Sequence, residues 1–169
     1  MRHFFLGLLL ATTCLWGDSG AGVHWAVPAS WKAETQRPMR LATYTVDPGG
    51  ECGMYYFGAG QGGSVDANLD RWIGQFLQAD GKPSKAAAKI AKRTLHGWPV
   101  TTVDVSGAYT GMGGPTQQPG PAMPGYRMLG AIVEGPQGSI FIKFTGPAKT
   151  IAANQMAFDK MIASLEPVR

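Results

Sequence analysis

An α+β domain, with an antiparallel sheet packed with helices, is the fold class this sequence predicts, and three observations lead to it. Several runs alternate apolar and polar residues with the period of a half-buried strand, and two others repeat apolar residues at helical spacing. The 24 glycines and 12 prolines among 169 residues then demand short elements and many turns, which excludes a long helical bundle. With 44% apolar and only 15% charged residues, the chain can bury one sizeable core and lacks the charge repulsion of a disordered protein.

The elements follow in order. Met1-Arg2-His3 supplies a positive start and Phe4 to Ala11 an apolar run, followed by small residues with a cleavage site at Ser19-Gly20-Ala21. Residues 1–21 therefore read as a signal peptide, and residues 22–169 as a single α+β domain. Cys14 lies just after the apolar run, where an exported lipoprotein carries its acylated cysteine. Val23 to Val27 and Met39 to Val46 read as strands, with Asp47-Pro48-Gly49-Gly50 as the turn after the second, and Met54 to Phe57 as a third. From Ser64 the period changes. Leu69, Trp72, Ile73, Phe76 and Leu77 form one helical face, Ser64 or Asp66 can cap it, and Gly81 can end it. Lys82 to His96 is mixed in signal, its second half read as a strand. Val100 to Tyr109 is a strand with Val103, Val105 and Tyr109 on one side. Residues 111–125 carry four prolines and no periodicity, which predicts a long loop. Tyr126 to Glu134 and Ser139 to Thr145 make a hairpin around Gly135-Pro136-Gln137-Gly138, and Ile151, Phe158, Met161, Ile162 and Leu165 mark a closing helix.

Chemistry-bearing patterns are sparse. Gly58-Ala59-Gly60-Gln61-Gly62-Gly63 matches G-x-G-x-x-G between a strand and a helix, but the next element is not an apolar strand ending in an acid. A glycine turn that lets the helix pack closely on the sheet is the better reading, and no cofactor is expected. His24 and His96 have no second metal ligand at a useful spacing, and Ser106 and Ser139 have no local base. Cys52, between Glu51 and Gly53, has no cation nearby in sequence to activate it and reads as a small, partly buried strand residue. Trp25, Trp31, Trp72 and Trp98 with Tyr55, Tyr56, Tyr109 and Tyr126 are either core or an aromatic platform. Lys85, Lys89, Lys92 and Arg93, uninterrupted by any acid in a chain of net charge +4, are the candidate anion-binding residues. On a helix they would share a face, whereas a strand would split them.

One larger pattern remains. Met39-Arg40-Leu41-Ala42-Thr43-Tyr44, then Tyr55-Tyr56-Phe57-Gly58 leading through Gln61-Gly62-Gly63 to Arg71-Trp72-Ile73-Gly74-Gln75-Phe76, and finally Phe144-Thr145-Gly146-Pro147 before a helix closing at Ser164-Leu165, resembles a group of exported bacterial proteins with the PsbP-like fold. That fold is shared by an extrinsic photosystem II subunit and a Ran-binding nuclear import factor. The resemblance spans about residues 24–166 and implies an antiparallel sheet between helices and a binding or accessory role. It carries no catalytic signature, so it transfers no site residue. The expectation is an extracytoplasmic, non-enzymatic binding or accessory protein, periplasmic or extracellular. Its partner would be an envelope protein or small ligand, with weak contact to an anionic membrane surface and none with nucleic acid. The alternative is a small cell-envelope hydrolase, which would require His24 or His96 to meet Asp104, Glu51 or Glu134 in one pocket.

Overall fold

The computed structural model describes residues 17–111 and 121–168. Eleven strands and two α-helices alternate in the order β1 (Gly17–Gly20), β2 (Val23–Ala26), β3 (Lys32–Ala33), β4 (Arg40–Val46), β5 (Gly50–Tyr56), α1 (Val65–Ile73), β6 (Phe76–Leu77), β7 (Lys89–Leu95), β8 (Trp98–Tyr109), β9 (Met123–Gly135), β10 (Gly138–Pro147), α2 (Ala148–Ala163) and β11 (Glu166–Pro167). An eight-stranded sheet runs β3-β4-β5-β10-β9-β8-β6, with β7 also paired to β8, and a second sheet runs β1-β2-β11. Every strand pair is antiparallel. The α+β class read from the sequence is the class observed.

The large sheet is buried on both faces by different partners. On one face Ile140, Ile142 and Phe144 of β10 join Leu129, Ala131 and Val133 of β9, and Ile151, Phe158, Met161 and Ile162 of α2 close over them together with Trp25 and Trp31. On the other face Phe141, Met128, Ile132, Val103 and Val105 receive Leu69, Trp72 and Ile73 of α1. Along β10 the face under α2 is apolar through Ile140, Ile142 and Phe144, while the opposite face carries Phe141 and then turns polar at Lys143 and Thr145.

Three sequence expectations need correction. The 64–81 segment is not one helix: α1 stops at Ile73 with Gly74 as its C-cap, and Phe76 and Leu77 pair as a strand with Tyr109 and Ala108. Phe76 is fully buried as expected, but from a strand, while Leu77 is exposed. Helical spacing misled because a two-residue strand after a tight turn can continue the same apolar offsets. Residues 17–21 do not stand apart from the domain either. Gly17–Gly20 pairs with β2 in register Gly17↔Ala26 to Gly20↔Val23, and the Tyr44 hydroxyl donates to Asp18 Oδ2 at 3.2 Å. The third concerns the 111–125 loop, which is shorter than expected at its C-terminal end, since β9 begins at Met123. Residues 112–120, like Cys14, lie outside the described residues.

The glycine run is a turn. Gly58, Gly60, Gly62 and Gly63 all have φ between 69° and 107°, and a side chain at Gly62 would collide with the Phe141 ring at 2.6 Å. It delivers Ser64, whose hydroxyl accepts from the Ala67 amide at 3.2 Å and starts α1.

Candidate functional site

α1 is nine residues long, about 14 Å at 1.5 Å per residue, and cannot cover an eight-stranded sheet. It packs over β8, β9 and the Phe141 end of β10, leaving the other end of that face open. There lies a concavity of about 280 Å³ lined by Arg40, Glu51, Tyr55, Tyr109, Tyr126, Lys143 and Thr145.

Lys143 is its floor. The register sets it between Gly53 of β5 and Gly130 of β9, two positions without side chains. Neither glycine is replaceable without displacing an aromatic ring: a Cβ at Gly53 would meet Tyr55 at 2.9 Å, and one at Gly130 would meet Trp72 at 2.8 Å. The lysine is 8% exposed. Its ammonium donates to Gln75 Oε1 and to the Tyr109 hydroxyl at 3.3 Å, and it has no carboxylate partner among the described ion pairs. Burial, helped by the charges of Arg71 and Arg40, lowers its pKa to about 8, against a smaller opposing effect of Glu51. A buried cation without an ion-pair partner is costly and is uncommon where only packing is needed.

The walls are aromatic and cationic. Tyr109 and Tyr126 stack at 5.9 Å with an 8° interplanar angle. The Arg40 guanidinium sits 4.9 Å over the Tyr55 ring and donates to Glu51 at 2.7 Å. Arg37 also reaches Glu51, at 3.5 Å, and is itself paired with Glu34. Of the charged side chains lining the groove, Arg40 and Lys143 are cationic and Glu51 alone is acidic. Burial raises the Tyr55 and Tyr109 phenols above their ordinary range, so both remain protonated donors. Thr145 Oγ1 is the one buried side-chain oxygen among the described residues without a hydrogen-bond partner. Adjoining the groove, Tyr55, Phe57, Arg71, Trp72, Phe141 and Lys143 line a smaller, mostly apolar recess of about 70 Å³.

Sequence reasoning missed Lys143, Arg40 and Thr145. The one available signal was a lysine directly between two apolar strand residues, Ile142 and Phe144; its glycine neighbours come from distant strands and are visible only through register. Of the proposed aromatic platform, Tyr55, Tyr109 and Tyr126 do line the groove, while Trp25, Trp31 and Trp72 are core.

The four candidate anion-binding residues do not converge. Lys85 pairs with Asp70 at 2.8 Å, and β7 places Lys89 and Arg93 opposite Asp104 and Val100 but Lys92 opposite Thr101, so the strand splits them between its two sides. Lys89 and Arg93 line a separate concavity of about 280 Å³ that also contains Asp104 and Asp159. The histidines meet none of the acids considered for a hydrolase. Asp104 is held by Arg127 through two bonds of 2.8 Å, Glu51 is held by Arg40, and Glu134 is exposed. His24 instead lies 3.7 Å from Glu166 in a shallow cleft beside Ser19, and His96 forms the β7–β8 turn. No cluster of three potential metal ligands occurs among the described residues. Cys52 is fully buried under α2, and burial pushes its thiol pKa up, which removes it as a nucleophile.

No family model and no curated protein matches this chain. Solved structures do. A cyanobacterial PsbP from Synechocystis aligns with a TM-score of 0.54 at 10% identity, over 96% of this chain and 99% of that one. A protein from Bacteroides thetaiotaomicron aligns with a TM-score of 0.50 at 13% identity, over 89% of this chain and 47% of that one. The fold is therefore PsbP-like.

Proposed function

We propose that this chain is an extracytoplasmic, non-enzymatic binding or accessory protein that works through the groove over Lys143. The carrying observation is the buried lysine without a carboxylate partner, at the floor of an open concavity walled by Arg40 and three tyrosines. Such a site holds a ligand without transforming it: it has donors and aromatic faces, but no nucleophile bonded to a base. The leader pattern of residues 1–21 supports export. Strand β1 bears on its processing, because cleavage after Ala21 would remove Gly17–Gly20 and strip the Tyr44 hydroxyl of Asp18. Processing at Cys14, with lipid attached there, keeps both. The basic edge strand β7 then supplies weak contact with an anionic membrane surface.

The test is native mass spectrometry of the protein recovered from its own envelope, beside Lys143→Met. A bound ligand or partner present in the first and lost in the second supports the reading; one retained in both overturns the groove as the working surface. Mass analysis of the mature N-terminus separates Gly22 from an acylated Cys14. A hydrolase keeps one observation in its favour, the His24–Glu166 pair beside Ser19, and esterase activity lost in Ser19→Ala would establish it.

A further inference from the structure

The groove and the apolar recess adjoin, with Tyr55 and Lys143 in the lining of both. Resting on the groove reading above, we propose that the ligand is a small carboxylate bearing a short alkyl group: the carboxylate bridges Lys143, Arg40 and Thr145, and the alkyl group enters the recess between Phe57, Trp72 and Phe141.

Two independent features point to the anionic end. An ammonium has three donors, and the two partners of Lys143 are Gln75 and Tyr109, which leaves one donor without a partner among the described residues. Thr145 Oγ1, two residues along the same strand and therefore on the same face, also has none. Glu51 does not cancel the attraction, because Arg40 and Arg37 both hold its carboxylate. The recess sets the other end. Its volume of about 70 Å³ is well below the roughly 150 Å³ cavity that takes a benzene ring, so it suits a short alkyl group. A bare inorganic anion would leave the recess empty, and a long acyl chain would not fit. The carboxylate could be a free short-chain acid or the C-terminus of a peptide ending in valine, which offers the same anion and branch.

The experiment is a titration of the full chain followed by two-dimensional NMR, with acetate, butyrate, hexanoate, inorganic phosphate, acetyl-Gly-Val and acetyl-Gly-Val amide as probes. Each methylene that enters the recess should tighten binding about fourfold, so butyrate, with two more methylenes than acetate, should exceed it by about fifteenfold and hexanoate should gain nothing further. Shifts should map to Tyr55, Phe141 and Thr145 and vanish in Lys143→Met, while Phe57→Leu should restore a gain for hexanoate. The acid peptide binding more tightly than butyrate, with its amide silent, would identify a chain terminus as the source; butyrate binding without the peptide would identify a free acid. Phosphate or acetate binding as tightly as butyrate, with loss in Lys143→Met, overturns the ligand class but leaves the groove reading standing. Butyrate binding that maps elsewhere or ignores Lys143→Met overturns both. No binding by any probe overturns the ligand class, and the mass-spectrometric recovery then judges the groove by itself.

Discussion

Lys143 is where folding and binding pull in opposite directions. Its amine stays protonated in the unfolded chain up to about pH 10.5, but in the folded chain only up to about 8, in surroundings set by Arg40, Glu51, Arg71, Tyr109 and Tyr126. The unfolded chain therefore binds more protons between these values, and the lysine's contribution to stability rises with pH from about 8 to 10.5. Below pH 8 the penalty is present in full, on the order of 3 kcal/mol. Lys143→Met removes it and loses the bond to Gln75, worth about 1 kcal/mol, so a net gain of about 2 kcal/mol is expected at pH 7, shrinking towards pH 10.5. Urea melts at pH 7 and pH 10 measure both, and a destabilised variant at pH 7 would contradict this account. Trp72 behaves in the ordinary way. Its side chain is 4% exposed and seated against Gly130, so Trp72→Ala should cost about 3–5 kcal/mol in the same assay.

At the scale of elements, short pieces decide the geometry. Gly74 ends α1 after nine residues, and its amide bonds back to the Asp70 carbonyl. The chain then turns so that Gln75 reaches Lys143 and Phe76 enters the core. A helix continued to Gly81 would have lost the Gln75 contact and covered more of the open face. Strand β1 acts through one hydrogen-bond chain: Trp25 Nε1 donates to the Tyr44 hydroxyl at 2.8 Å, and that hydroxyl donates to Asp18. A chain starting at Gly22 should be less stable than one starting at Cys14 by about 1–3 kcal/mol, the cost of leaving the Tyr44 hydroxyl proton without its acceptor, readable by thermal melting. Equal stability would mean that β1 is dispensable to the fold. The β7–β8 hairpin closes through His96 and Gly97, with φ of 49° and 84°, the pairing of a type I′ turn. Asparagine accepts this conformation more readily than histidine, so His96→Asn should leave the protein at least as stable in the same melt.

Across the whole molecule, the two cores share one sheet. Neighbouring residues of β10 serve alternate sides, Ile140 and Ile142 under α2 and Phe141 towards α1, so loss of either core should loosen the other. Unfolding should therefore be a single cooperative event. In a Cys14→Ser background, thiol labelling of Cys52 under α2 and the fluorescence of a variant retaining only Trp72 should report coincident urea transitions. An early Trp72 transition would show that α1 and the open face unfold separately.

Periodicity made most elements legible: alternation exposed β4, β8 and the β9–β10 hairpin, and helical spacing exposed α2 and the start of α1. These signals are local, written within a dozen residues, and the hydrophobic effect enforces them wherever the chain goes. The end of α1 was not legible, because Phe76 and Leu77 keep helical offsets after the helix has stopped. The groove was not legible for a different reason. Lys143, Gly53, Gly130, Arg40 and Gln75 come from β10, β5, β9, β4 and the turn after α1, and only strand register brings them together. The run of Lys85, Lys89, Lys92 and Arg93 shows the converse, since adjacency in sequence became separation in space once β7 formed a strand. The sequence by itself determined the class and most of the elements. Tertiary structure alone decided which charge is buried and which face stays open, because desolvation and register depend on neighbours that the sequence does not place side by side.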